Sequence, residues 1–152
     1  ELGLADNRLT GNLTDELGLW KNLKELCLHQ NRIRGLVQPQ IGKLSHLQVL
    51  KLYDNELSGA LPSEIALLEQ LRSLELDANA FQKSIPSELG ILTNLENLWL
   101  SSNLLTGPIP SELGRLTALQ GLYIQVNHLT GLLPSELGNL EQLKELRLFE
   151  NQ

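Results

Sequence analysis

Apolar residues recur along this chain in a fixed order: Leu95, Leu98, Leu100, Asn103 and Leu105 in one stretch, then Leu119, Leu122, Ile124, Asn127 and Leu129 in the next. The asparagine marks the period. Asn7, Asn31, Asn55, Asn79, Asn103, Asn127 and Asn151 stand 24 residues apart without a slip. Each unit continues through a Gly-x-apolar-Pro step and an apolar-Gly-x-Leu step, as in GPIPSELGRL at 107–116. A fixed period of this length is the signature of a solenoid, in which no unit buries its apolar face alone and stacking creates a continuous core. Within the Leu-x-Leu stretch, successive side chains alternate faces, so Leu26 and Leu28 point one way and Glu25, Cys27 and His29 the other. The pattern predicts about seven parallel strands, spaced about 4.8 Å apart, in one array spanning 1–152.

The remaining columns follow from the same geometry. The asparagine falls where the chain leaves the strand. Its amide supplies donors and an acceptor to backbone groups that have no ladder partner there. The glycine and proline steps break any helix and exclude an amphipathic bundle. The Leu and Asn columns are expected to be buried throughout, with Trp20 and Phe81 replacing leucine in core columns.

Charge and composition narrow the function. A net charge of -6 argues against nucleic acid, which requires a basic stripe, and against an anionic membrane surface. No apolar run approaches the roughly 18 residues that cross a bilayer. The chain opens and closes inside copies of the repeat, so it reads as an uncapped excerpt of a longer protein, lacking the flanks where targeting and membrane segments sit. The single cysteine, Cys27, forms no internal disulfide, and Asn12-Leu13-Thr14 marks Asn12 as a glycosylation candidate.

The segments LTGPIP, LSGALP and LTGLLP, set within the Leu-x-x-Leu-x-Leu-x-x-Asn-x-Leu frame, resemble the plant-type extracellular leucine-rich-repeat proteins. That class includes receptor-like kinase ectodomains and polygalacturonase-inhibiting proteins. The resemblance implies an α/β repeat solenoid, a right-handed superhelix with a parallel concave sheet and a short second strand at the Gly-x-apolar-Pro segment. It also implies an extracellular or cell-surface location. Local departures are Lys83 for the glycine, Thr14 and Gln38 for the proline, and Ala66 for the second glycine. Some receptor kinases of the class grip a peptide carboxylate with an Arg-x-Arg pair. The matching positions here are Arg147 and Phe149, so only half of that device is present and this grip is not expected.

Comparison of the repeats within the chain locates the candidate site. The convex motif PSELG recurs at 86–90, 110–114 and 134–138, whereas the concave columns diverge. Four of the six aromatic residues, Tyr53, Trp99, Tyr123 and Phe149, fall on the concave face, where exposed rings serve as binding anchors. Trp99 and Tyr123 are expected side by side, with Arg147 next in line. These residues, with Glu75 and Asp77, form the candidate site for a protein or peptide ligand. A polysaccharide or cell-wall-enzyme ligand, with Trp99 and Tyr123 as stacking platforms, is the alternative, together with a structural array lacking a specific ligand.

Catalysis is not expected. Glu75 and Asp77 project from one face about 6.6 Å apart, a separation that invites comparison with glycosidases. An open, wet sheet is expected to desolvate neither, leaving a solvated acidic patch with Lys51 holding Glu75 ionised. Cys27 and His29 share a face without a third metal ligand, and His29 and Ser101 lie three strands apart, too far for a triad. No cofactor is implied.

Overall fold

The computed structural model describes all of residues 1–152. In chain order the strands are β1 (Leu2–Gly3), β2 (Thr10–Asn12), β3 (Glu25–Cys27), β4 (Arg32–Gly35), β5 (Val49–Lys51), β6 (Glu56–Ala60) and β7 (Ser73–Glu75). They continue with β8 (Ala80–Lys83), β9 (Asn97–Trp99), β10 (Leu104–Gly107), β11 (Gly121–Tyr123), β12 (His128–Leu129) and β13 (Glu145–Arg147). The odd-numbered strands form a seven-stranded parallel sheet in chain order, and the even-numbered strands form a second parallel sheet of six. The second sheet is the one expected at the Gly-x-apolar-Pro segments. In the first sheet Leu26 pairs with Leu50, Leu50 with Leu74, Leu74 with Leu98 and Leu98 with Leu122, so one leucine ladder runs through the stack.

On the convex side each coil crosses in a five-residue 3-10 turn, such as Ser87–Ile91 and Ser111–Arg115. The helical component is therefore 3-10 throughout. Pro62, Pro86, Pro110 and Pro134 precede four of these turns, with φ between -69 and -61, the value their ring imposes. The departures from the repeat are accommodated. Gln38, with φ -75, and Thr14, with φ -96, hold the same extended backbone as the prolines they replace. Lys83 adopts φ +67 where the equivalent Gly107 has φ +78, keeping the left-handed turn at the cost of Cβ strain. Ala66 is buried at 2% exposure.

A single apolar cluster of 33 buried residues fills the space between the sheets and the convex turns. Asparagines tie the coils together. Asn103 Nδ2 donates to the carbonyls of Leu76, Leu100 and Ser101 at 3.1 Å each, and its Oδ1 accepts the Phe81 N–H at 3.0 Å. The same set recurs at Asn31, Asn55, Asn79 and Asn127. Side-chain amides thus satisfy backbone groups of two successive coils that the sheets cannot reach.

Burial of the columns is incomplete. Asn55 and Asn79 are half-buried and Asn7 is exposed, while Leu4 and Leu146 are 42% and 41% exposed. Trp20 also departs from expectation: it is 46% exposed, although Leu44, Leu68, Leu92 and Leu116 in its column are fully buried. Phe81, in the middle of the array, is fully buried as expected. No helix is long and apolar enough to cross a membrane.

Candidate ligand-binding face

The concave face is built by the side chains opposite the leucine ladder. Parallel register sets Glu75 beside Trp99, Trp99 beside Tyr123, and Tyr123 beside Arg147. The Trp99 and Tyr123 rings meet edge to face, with centroids 5.2 Å apart and planes at 67°, a geometry that aligns a positive ring edge with a negative face. The Arg147 guanidinium lies 5.1 Å from the Tyr123 centroid and donates to Glu145 Oε2 at 3.1 Å. The hydrogen bond from Tyr123, then that from Arg147, holds the Glu145 carboxyl below its ordinary pKa, and the contact with Glu145 raises the Tyr123 phenol.

These residues enclose a depression of about 350 Å³ lined by Asp77, Trp99, Ser101, Tyr123, Gln125, Glu145 and Arg147. Four residues expected from the sequence are therefore brought together: Asp77, Trp99, Tyr123 and Arg147. Three are not. Tyr53 stacks on His29, with ring centroids 4.4 Å apart and planes at 21°. Glu75 lies beneath its neighbours, and Phe149 is 56% exposed on the last coil, outside the depression. The concave aromatics are thus less open than expected: Tyr53, Trp99 and Tyr123 are half-buried because each packs against another ring.

Sequence reasoning did not assign Ser101, Gln125 and Glu145 to the site, although all three belong to the divergent concave columns. Gly121 was overlooked as well. It is buried, and a Cβ built there would lie 2.7 Å from Tyr123 Cε2, so the tyrosine ring lies back across it.

The acidic pair is a correction. Glu75 is only 5% exposed and is not part of a solvated patch. Its Oε1 accepts the Ser73 hydroxyl at 2.8 Å and pairs with Lys51 Nζ at 3.1 Å, while Trp99 flanks it on the other side. Burial acts to lower the Lys51 pKa, but the Glu75 partner outweighs it and holds the ammonium above its ordinary value. Asp77 is desolvated as well, and burial pushes its carboxyl up to about 6, with Glu75 and Asp54 adding to the rise. The long side chains of neighbouring coils make this stretch of sheet drier than an isolated strand face would be.

Three polar atoms of the depression are buried without a hydrogen-bond partner in the chain: Asp77 Oδ1, Trp99 Nε1 and Gln125 Oε1. Buried polar groups are ordinarily satisfied, so one donor and two acceptors clustered in a single hollow are complementary to a polar ligand. No three His, Cys, Asp or Glu side chains are grouped so as to hold a metal ion. Burial raises the Cys27 thiol, disfavouring the thiolate that a metal ligand requires. Asn12 is exposed on β2, the edge strand of the second sheet.

A family model described as "Leucine-rich repeat region" matches residues 2–152. No curated protein sequence matches the chain. Among solved structures, it is similar to the ectodomain of the Arabidopsis thaliana receptor kinase GASSHO1/SCHENGEN3 in complex with CASPARIAN STRIP INTEGRITY FACTOR 2. Identity is 36% and the TM-score 0.97, over 98% of this chain and 18% of that one. It is also similar to the ectodomain of the Arabidopsis receptor kinase HAESA bound to an extended IDA peptide hormone, at 37% identity and a TM-score of 0.92, over 96% of this chain and 25% of that one. A third similar structure holds HAESA with IDA and the co-receptor SERK1, at 31% identity and a TM-score of 0.84, over 99% of this chain and 29% of that one. The chain thus spans between 18% and 29% of the length of these ectodomains.

Proposed function

This chain belongs to the leucine-rich-repeat proteins, and from that premise we propose that it is a recognition scaffold binding a protein or peptide along its concave sheet. The carrying observation is the depression in which aromatic rings, an ion pair and three unsatisfied polar atoms converge on a rigid parallel sheet. The peptide complexes formed by the similar HAESA ectodomains support the same ligand class. The resemblance to the extracellular portion of plant receptor kinases supports the same class, and in this reading the scaffold lies outside the cell as one segment of a longer ectodomain. In this reading it binds without catalysing, and the sequon of Asn12 is its glycan acceptor.

A polysaccharide is less well served. Sugar rings stack on open aromatic faces, whereas the edge-to-face contact at 67° sets an edge of one ring against a face of the other, and Arg147 lies over the Tyr123 ring.

The test uses peptides selected on the chain from a randomised display library, followed by calorimetric titration of variants. Trp99→Ala and Tyr123→Ala should each weaken binding by about 2 kcal/mol or more, as central aromatic anchors do. Ser111→Ala and Glu112→Ala, on the convex side, should change it by no more than about 0.5 kcal/mol. Equal losses from both faces, or a loss from the convex pair alone, would remove the concave assignment.

A further inference from the structure

Asp77 is the one acidic side chain of the depression without a cationic partner. The chain's ion pairs join Lys51 to Glu75, Arg72 to Glu96 and Arg147 to Glu145. Glu145 therefore neutralises Arg147, and Lys51 neutralises Glu75. By strand count Asp77 and Arg147 also stand at opposite ends of the hollow, three spacings or about 14 Å apart. The hollow is thus acidic at its β7 end and neutralised at its β13 end. A part-buried carboxylate with an unsatisfied oxygen attracts a cation more strongly than an exposed one does, because water screens the pair less.

The other orphan atoms define the shape of that cation. Gln125 Oε1 is a second unsatisfied acceptor lining the same hollow. Its backbone sits two strand spacings from that of Asp77, about 10 Å, with Ser101 between them. A planar guanidinium presents donors on several edges. With hydrogen bonds of about 2.9 Å it reaches toward both acceptors, whereas an ammonium is a compact point charge. The indole N–H of Trp99 remains as a donor for a carbonyl of the chain that carries the cation.

Resting on the concave-face reading, we propose that the hollow between β7 and β13 is a subsite for a basic side chain of the bound peptide, with Asp77 as its counter-ion and Gln125 as its second acceptor. The subsite favours arginine over a neutral side chain of the same shape. Glu145 and Arg147 close its far end and, being paired with each other, leave Asp77 to set its charge preference.

The experiment uses the whole 152-residue chain and two probes: an acetylated, amidated Gly-Arg-Gly peptide and its citrulline counterpart, which keeps the shape and loses the charge. The readout is the NMR shift of the Trp99 indole N–H, distinguished from that of Trp20 by a Trp99→Phe variant. The arginine probe should shift that signal saturably and bind at least tenfold more tightly than the citrulline probe. Asp77→Asn should erase that preference, and Gln125→Leu should reduce it. Equal binding of the two probes, a preference that survives Asp77→Asn, or no shift with either would overturn the subsite. The broader reading is separable. Library peptides that lose affinity with Trp99→Ala yet show no preference for basic residues would retain the concave face and eliminate the subsite. Peptides indifferent to Trp99→Ala would eliminate both.

Discussion

Tyr123 lies across Gly121: a methyl group added to the glycine would come within 2.7 Å of the tyrosine Cε2. The two residues stand on the same strand and the same face, two positions apart, so the ring settles over its own backbone and closes one wall of the hollow. Gly121 does not occupy the left-handed region, so alanine is tolerated by the backbone and the conflict falls on the ring. Gly121→Ala should therefore leave stability within about 1 kcal/mol while turning Tyr123 out of contact with Trp99 and Arg147. Near-UV circular dichroism and the peptide titration check this. Unchanged aromatic signals together with unchanged affinity would show that the glycine does not shape the site.

The asparagine ladder gives a graded stability test. Asn103 makes four hydrogen bonds to backbone groups, three of them buried, whereas exposed Asn7 reaches only the carbonyls of Leu4 and Ala5. Asn103→Ala should cost about 1–3 kcal/mol by orphaning those groups, and Asn7→Ala should cost under about 0.5 kcal/mol. Urea denaturation of the two variants is the measurement. Equal costs would mean that position in the ladder does not matter.

Two convex glycines lie tight against the neighbouring coil. A Cβ at Gly90 or Gly114 would stand 2.3 Å from the carbonyl oxygen of Glu112 or Glu136, whereas one at Gly138 meets nothing within 4 Å. Gly90→Ala and Gly114→Ala should destabilise by about 1–3 kcal/mol, the usual range for overpacking, and Gly138→Ala should be neutral or slightly stabilising. Thermal denaturation of the three variants would refute this if all behaved alike.

Val126 sits at φ +57, where a β-branched side chain is a genuine outlier. The equivalent positions carry Asp54, Ala78 and Ser102 in the same conformation. Its side chain is 37% exposed, so little packing is lost on replacement. Val126→Asn should stabilise the fold by about 1 kcal/mol, the lower end of the strain held at such positions. A loss of stability would show that the valine packs better than its exposure indicates.

Asp77 makes stability depend on pH in a defined direction. Its carboxyl is raised to about 6 from 3.8, chiefly by burial, so the folded chain holds this proton more tightly than the unfolded chain does. Between those two values the contribution of Asp77 to stability falls as pH rises, and above about 6 its full unfavourable share is present. Asp77→Asn should remove that slope and be more stable than the parent at pH 7, with the difference shrinking on acidification. Denaturation at intervals from pH 4 to 7 is the check, and parallel profiles for parent and variant would contradict it.

The period of the sequence was sufficient to determine the array. Each Leu, Asn, Gly and Pro column meets its own kind one coil away, so the environment of Leu98 or Asn103 is repeated by Leu74 or Asn79 and needs no knowledge of distant contacts. The concave sheet and the leucine ladder were legible for that reason, whereas the second strand was implied by the family resemblance and the left-handed turn at Lys83 came from the structure. The concave face carries no such repetition. Whether Glu75 is wet depends on Lys51 and Trp99 standing on either side of it. The openness of Trp99 depends on how the Tyr123 ring falls across Gly121. These outcomes are set by side-chain rotamers and by unlike neighbours 24 residues away. The columns named most of the residues, but only the packed structure decided that Asp77, Trp99, Gln125 and Arg147 share one hollow and that Tyr53 and Phe149 lie outside it.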